Sequence, residues 1–209
     1  LIAGDISWGM RLEDGMYDVR SLQGLPGTKI FIRGNHDYWW NGITKIRALA
    51  PDGSFVFLQN DCVRAGRYIV VGSRGWVCPE SNEFGGEEAE KIYRREAERF
   101  RLAFAAAEKE RRAGDELIAM IHYPPFTARK EDTLFSRLFE EHGVGTVVFG
   151  HVHGSFYSHC MTVLQTMQGG HQFPVAVKGH FAQTGVGLPH SLSRHAQFIT
   201  QVNHGRLGG

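Results

Sequence analysis

Long hydrophobic runs, paired cysteines and basic stretches are all missing from this 209-residue sequence. No apolar run reaches the roughly 18 residues that a membrane-spanning helix requires, which favours a water-soluble protein without a membrane partner. The three cysteines are an odd number at wide spacing, which argues against a disulfide framework and favours a reducing, cytoplasmic location. Since Lys and Arg form no run or stripe, we expect no stable nucleic-acid binding.

Acidic side chains are missing from the last 55 residues, whereas all 22 of them lie before residue 155. The same segment contains six of the eleven histidines, at spacings that match no metal-ligand pattern. We therefore divide the chain into a domain at 1–154 and an atypical tail at 155–209. A divergent or disordered extension and a shifted reading frame are both open explanations of the tail, and we favour the second.

Short runs of Ile, Val and Phe, each closed by Gly or by polar residues, predict six strands. We expect them at 1–3, 29–33, 54–58, 68–72, 117–121 and 146–150. Apolar residues at helical spacing predict helices at about 12–22, 43–49, 87–112 and 133–142. Strands that alternate with helices predict an α/β layered domain with at least partly parallel pairing.

Metal-competent side chains follow four of the predicted strands. They are Asp5 after LIAG, the triplet Asn35, His36 and Asp37 in RGNHD, His122 in IHYPPF, and His151 with His153 in GHVHG. Each group alone has an ordinary explanation as a turn, a cap or a packed histidine. Because the carboxyl ends of strands in open α/β sheets meet at one crevice, the four loops can converge there. Carboxylate, amide oxygen and imidazole together suit Mn, Fe or Zn, so the set indicates a metal centre.

In this order, GD, GNHD, the His of IHYPPF and GHVH resemble the motifs of calcineurin-like metallophosphoesterases, and of predicted bacterial phosphohydrolases among them, over residues 1–154. The resemblance implies a β-sandwich of mixed sheets flanked by helices. It also implies hydrolysis of phosphate esters with two divalent cations, Mn²⁺ before Fe or Zn. A non-catalytic, protein-binding scaffold on the same fold is the alternative, and it would not need His36, which this sequence retains.

The resemblance also assigns roles to the residues at the strand ends. It implies that Asp5 bridges both cations, that His153 binds the first, and that the second is bound by Asn35, His122 and His151. It implies that His36 binds no metal but protonates the leaving group or stabilises the phosphoryl transition state.

The opening Asp-x-His motif of the family does not occur before Asp5. The chain begins inside an apolar stretch, so we expect an N-terminal truncation that removes the first strand and two ligands of the first cation. We accordingly expect the second cation to bind better than the first, with weak turnover or an inactive fragment.

Substrate contacts are less well marked than metal ligands. We expect Arg33 to contact phosphate, Asp37 to support His36 or contact substrate, and Arg74 in GSRGW to contact substrate, each against a plain surface role. The segment GDISWGM lacks the Asp-Arg pair of protein serine/threonine phosphatases. We therefore expect a small phosphorylated substrate, a nucleotide or a phosphodiester included, and leave monoesterase or diesterase open. Four tryptophans in or near strand-end loops can stack on a base or pack a lipid-like group, with loop or core packing as their alternative: Trp8, Trp39, Trp40 and Trp76.

Overall fold

The computed structural model describes residues 1–79, 81, 83–127 and 131–151, so the tail at 155–209 lies outside the described residues. Within them the chain forms the helices α1 (Leu12–Arg20), α2 (Ile43–Ala48), α3 (Gly86–Glu110) and α4 (Leu134–Glu141). The strands are β1 (Lys29–Phe31), β2 (Phe55–Phe57), β3 (Asp61–Ala65), β4 (Tyr68–Ser73), β5 (Glu116–Ile121) and β6 (Val144–Phe149). The four predicted helices are confirmed, with ends that differ by a few residues.

Two sheets are formed by these strands. The first pairs β1 with β2 in parallel, and Ile2 extends it through an isolated parallel bridge to Phe31. The second has the order β3-β4-β5-β6, antiparallel between β3 and β4 and parallel between the other pairs. The expected strand at 1–3 is thus reduced to one bridge, and the edge strand β3 was not predicted from the sequence.

The apolar side chains of the strands point alternately to two different cores, as the two-residue period of a strand requires. Between the sheets lie Ile30 and Ile32 from the first sheet, and Val70, Met120 and Val148 from the second. The opposite face of the first sheet packs on α1 and α2, and that of the second sheet packs on α3 and α4. The result is a helix–sheet–sheet–helix sandwich, which confirms the expected layered fold of mixed sheets flanked by helices.

Helix α4 shows how the sequence sets a helix end. Thr133 precedes the helix, and its hydroxyl accepts a hydrogen bond from Ser136 N at 3.1 Å, while Thr133 N donates to Ser136 Oγ at 2.8 Å. This reciprocal cap satisfies two backbone donors that a helix start otherwise leaves without partners. None of the helices in the described part of the chain has the length and apolarity that crossing a bilayer needs.

Candidate metal centre

Four loops from both sheets meet at the carboxyl ends of their strands. Asp5 follows the bridge at Ile2, and Asn35 follows β1 in the first sheet, whereas His122 follows β5 and His151 follows β6 in the second. Ligand atoms of Asp5, His122 and His151 all lie within 4.8 Å of one another. The structure therefore brings together four of the side chains that the sequence indicated.

Two glycines allow the Asp5 and Asn35 loops to approach this closely. Gly4 has a φ of +94°, and a Cβ built on it would lie 2.7 Å from His122 Nδ1. A Cβ on Gly34 would overlap Asp5 Oδ1. Asp5 itself has a φ of +57°, a left-handed conformation that is unusual for a residue with a side chain. The loops therefore depend on glycine at both positions.

Hydrogen-bond acceptors face one another at the centre of the site. His122 Nδ1 donates to the carbonyl oxygen of Ala3 at 2.7 Å, so its Nε2 presents a lone pair. That Nε2 lies 2.7 Å from Asn35 Oδ1 and 3.4 Å from Asp5 Oδ2. Burial lowers the pKa of His122 well below its usual value, so the ring is neutral at pH 7. Asp5 Oδ2 is buried without a hydrogen-bond partner among the described residues.

These atoms fit a divalent cation. Oxygen and nitrogen lone pairs repel one another at such distances unless a positive charge lies between them, and a neutral His122 supplies none. A carboxylate oxygen, an amide oxygen and an imidazole nitrogen are suitable ligands for Mn²⁺, Fe or Zn²⁺.

His151 adds a second imidazole to this group. Its Nδ1 lies 2.9 Å from Asn35 Oδ1, and its Nε2 lies 3.3 Å from Glu83 Oε2. A carboxylate next to Nε2 favours the tautomer with its hydrogen there, which leaves the Nδ1 lone pair directed to the site. The backbone of His151 has a φ of +70°, which turns the chain sharply at the end of β6. His153, the other expected ligand of this motif, lies outside the described residues.

Asp37 holds the loops of the centre together from beneath. It is fully buried and accepts hydrogen bonds from five N–H groups, at distances of 2.7 to 3.2 Å. The donors are the backbone nitrogens of Asp5, Ile6, Ser7 and Gly34, and Trp39 Nε1. Burial raises the pKa of Asp37 to about 6 against the effect of these donors. Both oxygens of Asp37 face these donors in the interior; that Asp37 supports His36 or contacts substrate stays a prediction.

His36 lies beside the centre and is held by aromatic neighbours. Its ring stacks on Trp8, with centroids 4.1 Å apart and planes inclined by 8°. Its Nδ1 lies 3.2 Å from the hydroxyl of Tyr38, and its backbone N–H donates to Asp5 Oδ1 at 2.8 Å. The backbone bond leaves Asp5 Oδ2 directed to the acceptor cluster, while the ring of His36 stays outside it.

Arg33 and Arg74 lie near one another at the side of the centre. Burial, followed by the charge of Arg74, lowers the pKa of Arg33 from its usual value. The Nε atoms of both arginines are buried without a hydrogen-bond partner in the described residues. Arg74 is also 3.5 Å from the buried carboxylate of Glu96.

The tryptophans separate into two groups. Trp39 and Trp40 are buried in the core beneath the first sheet, so packing is their role and contact with a substrate is excluded. Trp8 is 52% exposed on the His36 ring, and Trp76 is half-buried beside Tyr123, 5.6 Å between centroids. Only Trp8 and Trp76 remain near the site.

Two further residues of the site were missed by sequence reasoning. Glu83 belongs to the loop before α3 and reaches His151 across 68 positions of the chain. Tyr123 packs its ring 4.3 Å from that of His151. Tyr123 directly follows His122, and this adjacency was a signal that could have found it, whereas nothing local marks Glu83.

Residues 1–155 match the family model described as calcineurin-like phosphoesterase. No curated protein and no solved structure matches the chain significantly.

Proposed function

Since the chain belongs to the calcineurin-like phosphoesterase family, whose members hydrolyse phosphate esters with divalent metal ions, we propose that it uses a dinuclear centre to hydrolyse a small phosphorylated substrate. The observation that carries the proposal is the cluster of facing acceptors. His122 Nε2 lies 2.7 Å from Asn35 Oδ1 and 3.4 Å from Asp5 Oδ2, which has no hydrogen-bond partner among the described residues. Such an arrangement is stable when a cation binds between the three atoms.

The proposal assigns the ligands as follows. Asn35, His122 and His151 would hold the second cation, His153 would hold the first, and Asp5 would serve both. Mn²⁺ is the first candidate, with Fe and Zn as the others. When bound, the cations neutralise charge on the phosphoryl oxygens and activate a water molecule for in-line attack.

His36 protonates the leaving oxygen in this scheme. Its Nδ1 faces the hydroxyl of Tyr38 at 3.2 Å, so Nε2 is the ring nitrogen that is available to carry the proton to the substrate. The stacked indole of Trp8 fixes the plane of the ring, because a rotation of the imidazole would break a contact of 4.1 Å between centroids. Arg33 and Arg74 contribute positive charge at the side of the same centre and contact the substrate.

The test uses the 209-residue chain, stripped of metal by EDTA and then titrated with Mn²⁺. We expect Mn²⁺ binding and weak hydrolysis of p-nitrophenyl phosphate, bis(p-nitrophenyl) phosphate or both, and the pair separates monoesterase from diesterase activity. His36→Ala should lower turnover about 10² to 10⁴-fold, the range for general acids, while the metal content stays normal. Parallel loss of metal and turnover would make His36 a ligand. A chain that binds no Mn²⁺, or that hydrolyses either ester equally fast with and without Mn²⁺, would contradict the proposal of a metal-dependent hydrolase.

A further inference from the structure

A group of arginines surrounds one buried carboxylate beside the metal centre. Glu96 is fully buried on α3 and forms ion pairs with Arg74, at 3.5 Å, and with Arg99. The third arginine, Arg33, has no hydrogen bond or ion pair with any residue that the structure describes. Glu96 therefore already pairs with two guanidinium groups, and no carboxylate in the described part of the chain pairs with the third.

The group contains buried donors without acceptors. They are Arg33 Nε, Arg74 Nε and Trp76 Nε1, none of which has a partner among the described residues. A buried donor on a charged group that stays without an acceptor costs about 1 to 3 kcal/mol or more, so native structures usually satisfy it. Arg33 is half-buried and Arg74 is 20% exposed, so part of each guanidinium is accessible to a ligand. The described residues therefore leave these donors open to acceptor atoms of a ligand.

The positive charge of the group is not fully compensated by the described residues. The charges that act on Arg33 are those of Arg74, Arg99, Asp37 and Glu96, so three guanidinium groups face two carboxylates. Both oxygens of Asp37 already accept hydrogen bonds from five N–H groups, so they are not available to the arginines. An oxyanion from a ligand would supply both the acceptor atoms and the charge that the group lacks.

The arginines adjoin the metal centre through the backbone. Arg33 lies two residues before Asn35, and the carbonyl oxygen of Arg74 accepts a hydrogen bond from His122 N at 2.9 Å. The guanidinium of Arg74 lies 4.8 Å above the ring of Trp76, which fixes its direction. A ligand held at the centre and the arginines can therefore be parts of one molecule.

We propose that Arg33 and Arg74 bind a second anionic group of the substrate, a carboxylate or a further phosphate, while the ester phosphate occupies the metal centre. The inference rests on the proposed function and narrows its substrate class to phosphoesters with two anionic groups. Guanidinium groups suit this task because their planar N–H groups match the two oxygens of a carboxylate or a phosphate.

The test compares three non-hydrolysable ligands that share a two-carbon linker on a phosphonate and differ in the end group. Propylphosphonate ends in a methyl group, 3-phosphonopropionate in a carboxylate and ethane-1,2-bisphosphonate in a second phosphonate. A second set carries the same end groups on a four-carbon linker. Affinities for the full chain with Mn²⁺ are measured by calorimetry. We expect a charged end group to tighten binding about ten-fold on at least one linker, as a charged hydrogen bond allows.

Two substitutions separate the proposed contact from general effects of charge. Arg33→Gln should abolish the gain from the charged end group, and its fold is expected to persist because Arg33 bonds to no described residue. Arg94→Gln is the matched control, since Arg94 is 70% exposed on α3 and pairs with Glu90 at 2.6 Å. The control should bind the ligands with a charged end group as much more tightly than propylphosphonate as the unmodified chain does. If the bisphosphonate removes Mn²⁺ from the protein, it does so in the control and in Arg33→Gln alike. Thermal unfolding of both variants checks that the fold is intact.

Several results would overturn the inference. The absence of any gain on either linker, with normal binding of propylphosphonate, would refute the second subsite and leave the proposed function in place. An equal loss for all three ligands in Arg33→Gln would place Arg33 at the ester phosphate instead. Failure of every phosphonate to bind the Mn²⁺-loaded chain would contradict the proposed function itself.

Discussion

Replacement of Asp37 by Asn tests whether one buried carboxylate holds the loops of the metal centre. Asp37 Oδ1 accepts hydrogen bonds from Ile6 N, Ser7 N and Trp39 Nε1, and Oδ2 accepts from Asp5 N at 2.8 Å and Gly34 N at 2.7 Å. An Asn side chain keeps one oxygen and turns an NH₂ group towards the donors of the other. At least two buried N–H groups then lack an acceptor.

Each such donor costs about 1 to 3 kcal/mol, so the free energy of unfolding should fall by about 4 kcal/mol. A domain of this kind is typically stable by about 5 to 15 kcal/mol, so the loss is large but leaves a folded state to measure. Urea unfolding followed by tryptophan fluorescence is suitable, because the indole of Trp39 bonds directly to Asp37 at 3.0 Å.

Asp52→Asn is the matched control for the change of charge. Asp52 is exposed and accepts one hydrogen bond from Ser54 N at 2.7 Å, which an amide oxygen can also accept. Its substitution should change stability by less than about 0.5 kcal/mol, as is usual at the surface. If Asp37→Asn cost no more than this control, the carboxylate would not hold the loops and the reasoning would be refuted.

Three further substitutions probe other parts of the structure. Gly34→Ala should weaken Mn²⁺ binding at least ten-fold by calorimetry, because the new Cβ would overlap Asp5 Oδ1; unchanged affinity would mean that the two loops can separate at little cost. Glu83→Gln should lower Mn²⁺ affinity about ten-fold or more while the unfolding midpoint of the metal-free chain stays constant, since the lost carboxylate orients His151; equal Mn²⁺ affinity would remove that role. In acid titrations, the free energy of unfolding should fall less steeply between about pH 4 and pH 2 in Asp115→Asn than in the unmodified chain. Arg64 on β3 pairs with Asp115 and lowers the pKa of its carboxyl to about 2. The ion pair therefore stabilises the fold above the pKa of the unfolded chain, and this stability is lost as pH falls through the pKa of the folded state. An equally steep loss of stability in the variant would contradict this assignment.

The long elements could be predicted because their apolar periodicity is unambiguous. Helix α3, with 25 residues, carries a continuous apolar stripe, and the buried strands β4 to β6 are apolar on both faces because both are covered. Strand β3 was missed because DCVRA is a half-exposed edge strand without a clear alternation. Its pairing with β4 comes from the turn that contains Gly66, whose φ is +64°.

The candidate site shows the same division between local and distant information. The metal-competent residue types and their order along the chain could be predicted, since each follows a strand and the strand ends meet. The buried position of Asp37 could not be predicted, because its adjacency to His36 suggested contact between the two side chains, whereas the backbone turns Asp37 into the interior. Glu83 could not be found, because its contact with His151 exists only once α3 has packed on the second sheet.

The four metal-competent side chains come in pairs from opposite halves of the sandwich, Asp5 and Asn35 from one sheet and His122 and His151 from the other. A single ion bound among them would link the two sheets at the edge where their strands end. Its binding energy would then add to the cohesion of the whole sandwich, by about 2.7 kcal/mol when the ion is present at 100 times its Kd. The temperature of thermal unfolding should then rise with added Mn²⁺, and chelation should weaken the contact of the two sheets at the edge where hydrolysis is proposed to occur.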